Sequence, residues 1–322
     1  TTGLTLKVLG KAVRATLDGL PELPEWIDAA YLAKHKWKGW RDALLFAHEP
    51  EDEAVLDAMA PVTGTRPIGT VVNTHANGDH CYGNGLLVEA GAQVVTTEAA
   101  AAEMGAVPPS ALEALLHADL GEPANRYVHE AFAPFDFAEI TEAGGVPEPD
   151  RTFSGELQLD VCGRTVELLE VGPAHTAGDL LVHLPDASTV FCGDILFIGG
   201  TPIIWEGPVQ NWIDALRLIE EMDVETVVPG HGPITDKRAA TALREYFEYI
   251  RAETEKRFHA GLSAFEAAKD IEVTDYDSWG DSERIVINVA EIYRELAGEE
   301  AAEGSILDRN TLFAQMAELA ES

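Results

Sequence analysis

Two rhythms of apolar positions run along this chain, and each predicts its own elements. Short β-branched runs read as strands over 68–72, 93–97, 157–161, 165–171, 180–184 and 189–192, with a last one ending at His231. Cys162-Gly163-Arg164 between two of these runs predicts a hairpin, and Pro185-Asp186-Ala187-Ser188 a turn between two more. Longer stretches with apolar residues three and four apart read as helices over 53–59, 83–90, 99–104, 111–118, 211–222, 235–259, 262–270, 282–296 and 310–319. The 211–222 stretch puts Trp212, Ala215, Leu216 and Ile219 on one face, and Thr235-Asp236 supplies the cap of the longest helix. Pro108-Pro109 splits two alanine- and leucine-rich helices. The segment 121–150, rich in proline, glycine and aromatic residues, shows little periodicity and is expected to form an irregular lid or pocket wall. Strand, helix, strand is the rhythm of a layered α/β protein, followed here by a helical tail.

The amino end does not share this legibility. Residues 1–50 show no clear alternation, and Lys34-His35-Lys36-Trp37-Lys38-Gly39-Trp40-Arg41, the only basic cluster of an acidic chain, reads as a solvated turn. The expected division is therefore a poorly legible segment over 1–50, a core over 51–234 and a helical extension packed on it over 235–322.

Composition, 46% hydrophobic and 24% charged, is ordinary for a globular protein. The charge balance is not: 22 basic against 56 acidic residues leave −34, a surface that repels phosphate backbones and so predicts no nucleic-acid partner. Three cysteines without CxxC spacing predict no disulfide framework and fit a reducing compartment. Cys81 and Cys192 flank candidate ligands and are expected to pack as small core residues. No apolar run approaches the roughly 20 residues that span a bilayer, and the opening Thr-Thr-Gly-Leu-Thr lacks the pattern of an export signal, so the expectation is a cytoplasmic protein with no membrane partner.

Candidate chemistry sits where the apolar runs stop. Ile68 to Val72 leads into Thr74-His75-Ala76-Asn77-Gly78-Asp79-His80, two imidazoles and a carboxylate within six positions. Three more runs end alike: Val171-Gly172-Pro173-Ala174-His175-Thr176-Ala177-Gly178-Asp179, Val190-Phe191-Cys192-Gly193-Asp194 and Val227-Val228-Pro229-Gly230-His231-Gly232. Imidazole nitrogen and carboxylate oxygen are the ligands of zinc and similar divalent metals, and glycine beside them lets the backbone turn sharply. The other histidines have no such context: His183 alternates along a strand, and His35, His48, His117, His129 and His259 are assigned nothing.

In this order the ligand-type residues resemble the metallo-β-lactamase superfamily of metal-dependent hydrolases, marked by His-x-His-x-Asp-His, a distal His, a bridging Asp and a final His. The resemblance implies an αββα sandwich of two mixed sheets with outer helices, here with a C-terminal helical extension. It implies that His75 and His175 hold one metal, that Asp79, His80 and His231 hold a second, and that Asp194 bridges the two. It also implies Zn2+, one or two per chain, with Mn2+ or Fe2+ as alternatives. Such ions lower the pKa of water from about 16 toward 7 and polarise a carbonyl, and Asp79 would accept a proton or orient the attacking water. The family's opening strand hairpin is not found in 1–50. Asn77 stands where most of the family has its second histidine. Two readings of it remain open, a site contact or a turn residue; as a neutral amide ligand it would leave the first metal more loosely held than the second.

The run Thr-His-Ala-Asn-Gly-Asp-His with Tyr-Gly-Asn, and Thr-Pro-Ile-Ile-Trp-Glu-Gly-Pro with Asn-Trp, is similar to a subgroup that includes actinorhodin-type polyketide cyclase/thioesterases, over about residues 55 to 300. This implies hydrolysis of an ester or thioester, with an aromatic polyketide as one acyl group and a small-molecule acyl substrate as the partner. A lactonase or β-lactamase is the alternative enzyme, and a non-catalytic metal-binding protein the alternative of another kind. Tyr82 and Asn84 either reach substrate or pack a helix start, and Ile203, Trp205 and Pro208 either border the pocket or belong to the core.

Overall fold

Within the computed structural model of the chain, described over residues 68–89, 91–132, 135–142, 145–298 and 309–321, strand alternation decides the layering. Strands β1 (Thr70–Val72), β2 (Gln93–Thr97) and β3 (Arg151–Phe153) form a parallel sheet in that order. Strands β4 (Glu156–Val161), β5 (Arg164–Glu170), β6 (Leu180–Leu184), β7 (Thr189–Phe191) and β8 (Thr226–Val228) form a second, mixed sheet, antiparallel from β4 to β7 and parallel from β7 to β8. Every second side chain points between the sheets. Val72, Val95 and Phe153 from the small sheet meet Val166, Leu168, Leu180, Val182, Leu184, Phe191 and Val228 from the large one in a single buried cluster.

The alternate side chains face outward and need helices over them. Val71 and Val94 pack with Leu87 of the helix Asn84–Glu89. Leu181, Val190 and Val227 pack with Trp212, Leu216 and Ile219 of Val209–Glu221 and with Leu243, Phe247 and Ile250 of Lys237–His259. Two sheets face to face with helices on both outer sides are the expected αββα sandwich. At roughly 1.5–3 kcal/mol for each fully buried Leu or Val, these two faces are what keep the short strands in place.

The helices, in chain order, are α1 (Gly78–Cys81), α2 (Asn84–Glu89), α3 (Glu98–Ala106), α4 (Pro109–Leu116), α5 (Ala124–Phe132), α6 (Phe137–Glu142), α7 (Val209–Glu221), α8 (Lys237–His259), α9 (Ala264–Asp270), α10 (Ile285–Ala297) and α11 (Arg309–Ala320). The carboxylate of Asp236 caps α8 by accepting from Arg238 N, and Ser263 with Glu266 makes a capping box on α9. Between β4 and β5 both loop residues, Cys162 and Gly163, have positive φ (57° and 84°), as a two-residue hairpin turn with right-handed strand twist requires. Cys81 and Cys192 are buried and Cys162 is exposed, and no disulfide forms among the described residues.

The stretch 121–150 corrects the expectation of irregular chain: it contains α5 and α6. Ala124, Tyr127, Val128 and Ala131 are buried at helical spacing on α5, a pattern hidden in the sequence by the prolines on either side. The three-residue strand β3 is a further addition, too short to show alternation. The tail is helical as expected, and its apolar side chains (Ile285, Val289, Leu312, Phe313, Met316) join the same buried cluster as the outer face of the large sheet. The expected helix over 53–59, the basic cluster at 34–41 and the question of the opening hairpin lie outside the described residues. No helix among the described residues is long and apolar enough to cross a membrane.

Candidate metal centre

All four strand ends deliver their side chains to one point at the same edge of the sandwich. After β1 the chain makes α1, whose N-cap is Asn77. An amide pair locks this corner: Asn84 Nδ2 donates to Asn73 Oδ1 (2.7 Å), while Asn73 Nδ2 donates to the carbonyl of His80 (2.9 Å). Gly193, with φ of +50°, turns the chain after β7 so tightly against Thr74 that a Cβ would lie 2.6 Å from the threonine Cβ. Gly230 leaves Asp194 its space, because a Cβ there would run into the aspartate carboxylate. Trp212 of α7 donates its indole N–H to the carbonyl of Ile195 (2.8 Å) and fixes the turn that carries Asp194.

Six side chains meet there. His75, His175 and Asp194 form one group of potential ligand atoms and Asp79, His80 and His231 another, with the atoms within 4.8 Å of one another in each. Asp194 also belongs to the second group by distance: its Oδ1 lies 3.1 Å from His80 Nε2 and its Oδ2 3.1 Å from His231 Nε2. Oδ2 is 3.3 Å from His175 Nε2 and 3.7 Å from His75 Nε2. Asp79 Oδ2 lies 3.2 Å from His80 Nε2 and 3.3 Å from His231 Nε2. His75 and His175 are fully shut off from solvent, whereas Asp79 and His231 are each 8% exposed, so the site opens on the Asp79–His231 side.

On the His75–His175 side the ring nitrogens away from the cluster are held by the protein. His175 Nδ1 lies 2.7 Å from the carbonyl of Ile203. A carbonyl only accepts, so this nitrogen carries the proton and Nε2 keeps its lone pair toward Asp194. His75 Nδ1 is 3.0 Å from Thr74 Oγ1. Burial, with His80 nearby, holds the His75 imidazole well below its usual pKa, and burial does the same for His175. Burial opposes charge on His80 and His231 too, but Asp194 and Asp79 outweigh it, raising His80 well above its usual value and His231 to about 9. Burial pushes both carboxyls up, yet the facing histidines hold Asp79 and Asp194 below the usual carboxylate range.

A divalent cation fits this donor set. His75 Nε2 is buried with no hydrogen-bond partner, which costs about 1–3 kcal/mol unless something takes its lone pair. Two buried carboxylates among four imidazoles supply the charge and the softness that zinc-like ions select.

Asn77 contributes its backbone to the start of α1 but its side chain makes no capping bond; instead Nδ2 lies 2.9 Å from His175 Nε2. Asn77 thus stands at the turn into α1 with its amide against His175. Asn84 is fully buried with its amide committed to Asn73, the helix-start role. Tyr82 is buried against Phe135 and Phe137, with ring centroids 6.1 and 6.2 Å away. Ile203 is buried and reaches the centre by its carbonyl rather than its side chain. Trp205 is half-buried between Phe313 and the Arg309 guanidinium, while its backbone N–H donates to the carbonyl of His175 (2.9 Å). His183 Nδ1 pairs with Glu167 at 2.8 Å, away from the centre.

Sequence reading missed the supports. Asn73 adjoins the motif and Thr74 opens it, and their polar character at a strand end was a usable signal. The Ile203 carbonyl carries no side-chain signal at all. Phe197, stacked on His231 with centroids 5.0 Å apart, reads in sequence as one more core aromatic.

A model described as the Metallo-beta-lactamase superfamily matches residues 39–231, ending on the last histidine of the centre. A hydroxyacylglutathione hydrolase of Synechococcus sp. is 26% identical over 184 residues, 55% of this chain and 55% of the relative. One from Rhizobium meliloti is 31% identical over 34% of this chain and 42% of its own length. The 2,4-dinitroanisole O-demethylase subunit alpha of Nocardioides sp. is 28% identical over 48% of this chain and 45% of its own. The chain thus spans about half the length of the curated relatives it matches. Among solved structures, the sec-alkylsulfatase Pisa1 from Pseudomonas sp. superposes with a TM-score of 0.56 at 14% identity, over 76% of this chain and 44% of that one. A metallo-beta-lactamase family protein from Thermus thermophilus superposes with a TM-score of 0.51 at 19% identity, over 78% and 81%. At these identities the superpositions speak to the fold.

Proposed function

The chain belongs to the metallo-beta-lactamase superfamily, and on that footing we propose that it is a metal-dependent hydrolase of a small-molecule ester or thioester. The observation that carries this reading is Asp194: one buried carboxylate within 3.1–3.3 Å of histidines from both ligand groups. The thioester preference draws support from the relatives named hydroxyacylglutathione hydrolase. In this reading His75, His175 and Asn77 would hold one zinc-type ion and Asp79, His80 and His231 a second, with Asp194 lying against both groups. Bound there, such ions make hydroxide available at neutral pH and polarise the substrate carbonyl. The chain's own groups do the rest. Asp79, the more open of the two carboxylates, would orient the attacking water. Phe197 and Trp212 back the imidazoles and exclude water from behind them. The net charge of −34 turns polyanionic substrates away. A metallo-hydrolase core over 51–234 with a helical extension over 235–322 is part of the same proposal, supported by the family match ending at 231.

The test is a substrate panel with added zinc, manganese or iron. It contains alkyl and aryl thioesters, including an aromatic polyketide-like thioester, together with a carboxylic ester, a lactone, a β-lactam and a phosphodiester. The expected result is turnover of thioester or ester above all others, lost by at least about 10³-fold in both His80→Ala and Asp194→Ala while circular dichroism stays unchanged. Phosphodiester turnover above acyl substrates overturns the acyl reading. A folded, metal-loaded chain inert on the whole panel points to a metal-binding protein without catalysis.

A further inference from the structure

The imidazole of His175 is aimed by a backbone carbonyl, and that carbonyl lies on a loop with no regular structure of its own. Residues 201–208 are held by backbone bonds from Thr201 N to Gly280 O (2.8 Å), Trp205 N to His175 O (2.9 Å) and Gly207 N to Ala174 O (2.9 Å), and by side chains from the helical extension that reach this loop and the first residue of α7. Arg284 Nη1 donates to Thr201 O (2.6 Å), Arg294 Nη2 to Glu206 O (2.6 Å), and Glu295 Oε1 accepts from Val209 N (2.7 Å). Between them sits Asn288 of α10, fully buried. Its Oδ1 accepts from Ile204 N (2.9 Å), and its Nδ2 donates to Pro202 O (2.9 Å) and to the Tyr246 hydroxyl (3.2 Å). The two backbone bonds fall on either side of Ile203, whose carbonyl points at His175 Nδ1 (2.7 Å).

We propose that Asn288 is a positioning residue for the His175 side of the metal centre. The Asn288 amide is long enough to accept from one residue of the loop with its oxygen while its nitrogen donates to another, and so it fixes the rotation of the peptide between them. With that peptide fixed, the Ile203 carbonyl demands the Nδ1–H tautomer of His175, and the Nε2 lone pair stays turned toward Asp194 and Asn77. Thus a residue 113 positions along the chain from His175, beyond the stretch matched by the family model, sets how well this imidazole can bind. The inference rests on the reading of His175 as a metal ligand. Removal of outer partners of metal-binding histidines typically lowers metal affinity 10- to 100-fold.

The experiment compares wild type with Asn288→Ala, Asn288→Ser and, as a control on the same helix, Arg294→Ala, which frees Glu206 O without touching the residues around Ile203. Zn2+ affinities of the two sites are measured by competition with a chromogenic chelator. The tautomer of His175 is read from long-range 1H–15N spectra of the metal-free protein. Expected are a 10- to 100-fold weaker first site, an unchanged second site and a mixed tautomer at His175 in both Asn288 variants, with wild-type behaviour in Arg294→Ala. Lower thermal stability of the Asn288 variants with both affinities and the tautomer unchanged overturns the proposal and leaves Asn288 as packing. A changed tautomer in a chain that binds no zinc even as wild type keeps the positioning role and overturns the metal reading, so the two failures are distinguishable.

Discussion

On one side of Asp194, His75 and His175 are sealed from solvent, each with its Nδ1 already bonded to the protein. On the other, His80, His231 and Asp79 face one another and the opening, with Phe197 stacked against His231 as aromatic support. The first side offers neutral, pre-oriented imidazoles and an amide, and borrows its only charge from Asp194. The second has a carboxylate of its own, and its imidazoles hold protons tightly enough to compete with a cation. Orientation and charge, which most metal sites supply together, are here divided between two neighbouring triads. The second side should therefore bind its ion more strongly but more pH-dependently, and the first more weakly and with less release of protons.

The largest expected effect breaks the comparison through pH. His231 is raised from 6.5 to about 9 in the folded chain, so with no metal bound it adds stability that is complete below about pH 6.5 and lost as pH rises through about 9. At about 1.4 kcal/mol per unit the loss is about 3 kcal/mol for this residue, with His80 adding in the same direction. Asp179, pushed up to about 8 by its burial, also favours the lower pH, but it does so with or without metal. Chelated protein should unfold about 5–10 °C lower at pH 9.5 than at pH 7, while the zinc-loaded protein, left with only the Asp179 contribution, should fall by clearly less. Equal melting of the chelated protein at both pH values would remove the electrostatic half of the contrast.

A smaller effect sharpens it. Asn77→His gives the first side a third imidazole at a position whose side chain already faces His175 Nε2. Dialysis of the wild type should leave one ion per chain and lose the other, and the variant should retain both, with the weaker affinity improved by at least about tenfold, or roughly 1.4 kcal/mol. If wild type keeps two ions equally, the amide at position 77 does not weaken its side.

How far the sequence showed this depends on how local the cause is. The six ligand-type residues at strand ends were legible because a β-branched run, a turn and a ligand-type side chain are neighbours along the chain. The layers were legible because β2 and β6 are short runs of consecutive residues buried almost throughout, bounded by turn residues. The helix α5 was masked by prolines that flank it, although Ala124, Tyr127, Val128 and Ala131 carry the helical period. What could not be read is anything made by the backbone of a distant loop. Neither the Ile203 carbonyl nor the amide of Asn288 that frames it has a motif, since their roles exist only once the helical tail has packed on the sheet.

The smallest predicted effect tests whether the two sides are separable. Thr74 Oγ1 is the partner of His75 Nδ1 at 3.0 Å, and Thr74→Val keeps the shape against Gly193 while removing that one hydrogen bond. The backbone bond from Leu180 N to Thr74 O is untouched, so the strand end should stay in place. A single such bond is worth about 1 kcal/mol, which predicts about a fivefold weaker first site. Because the substitution leaves the contacts among Asp79, His80 and His231 in place, the second site should keep its affinity. Zinc titration of this variant by chelator competition decides the matter: a shift confined to the weaker site means that each triad is oriented by its own partners. An equal shift in both would mean that Asp194 transmits every displacement across the centre, and the contrast between an oriented side and a charged side would give way to one jointly held cluster.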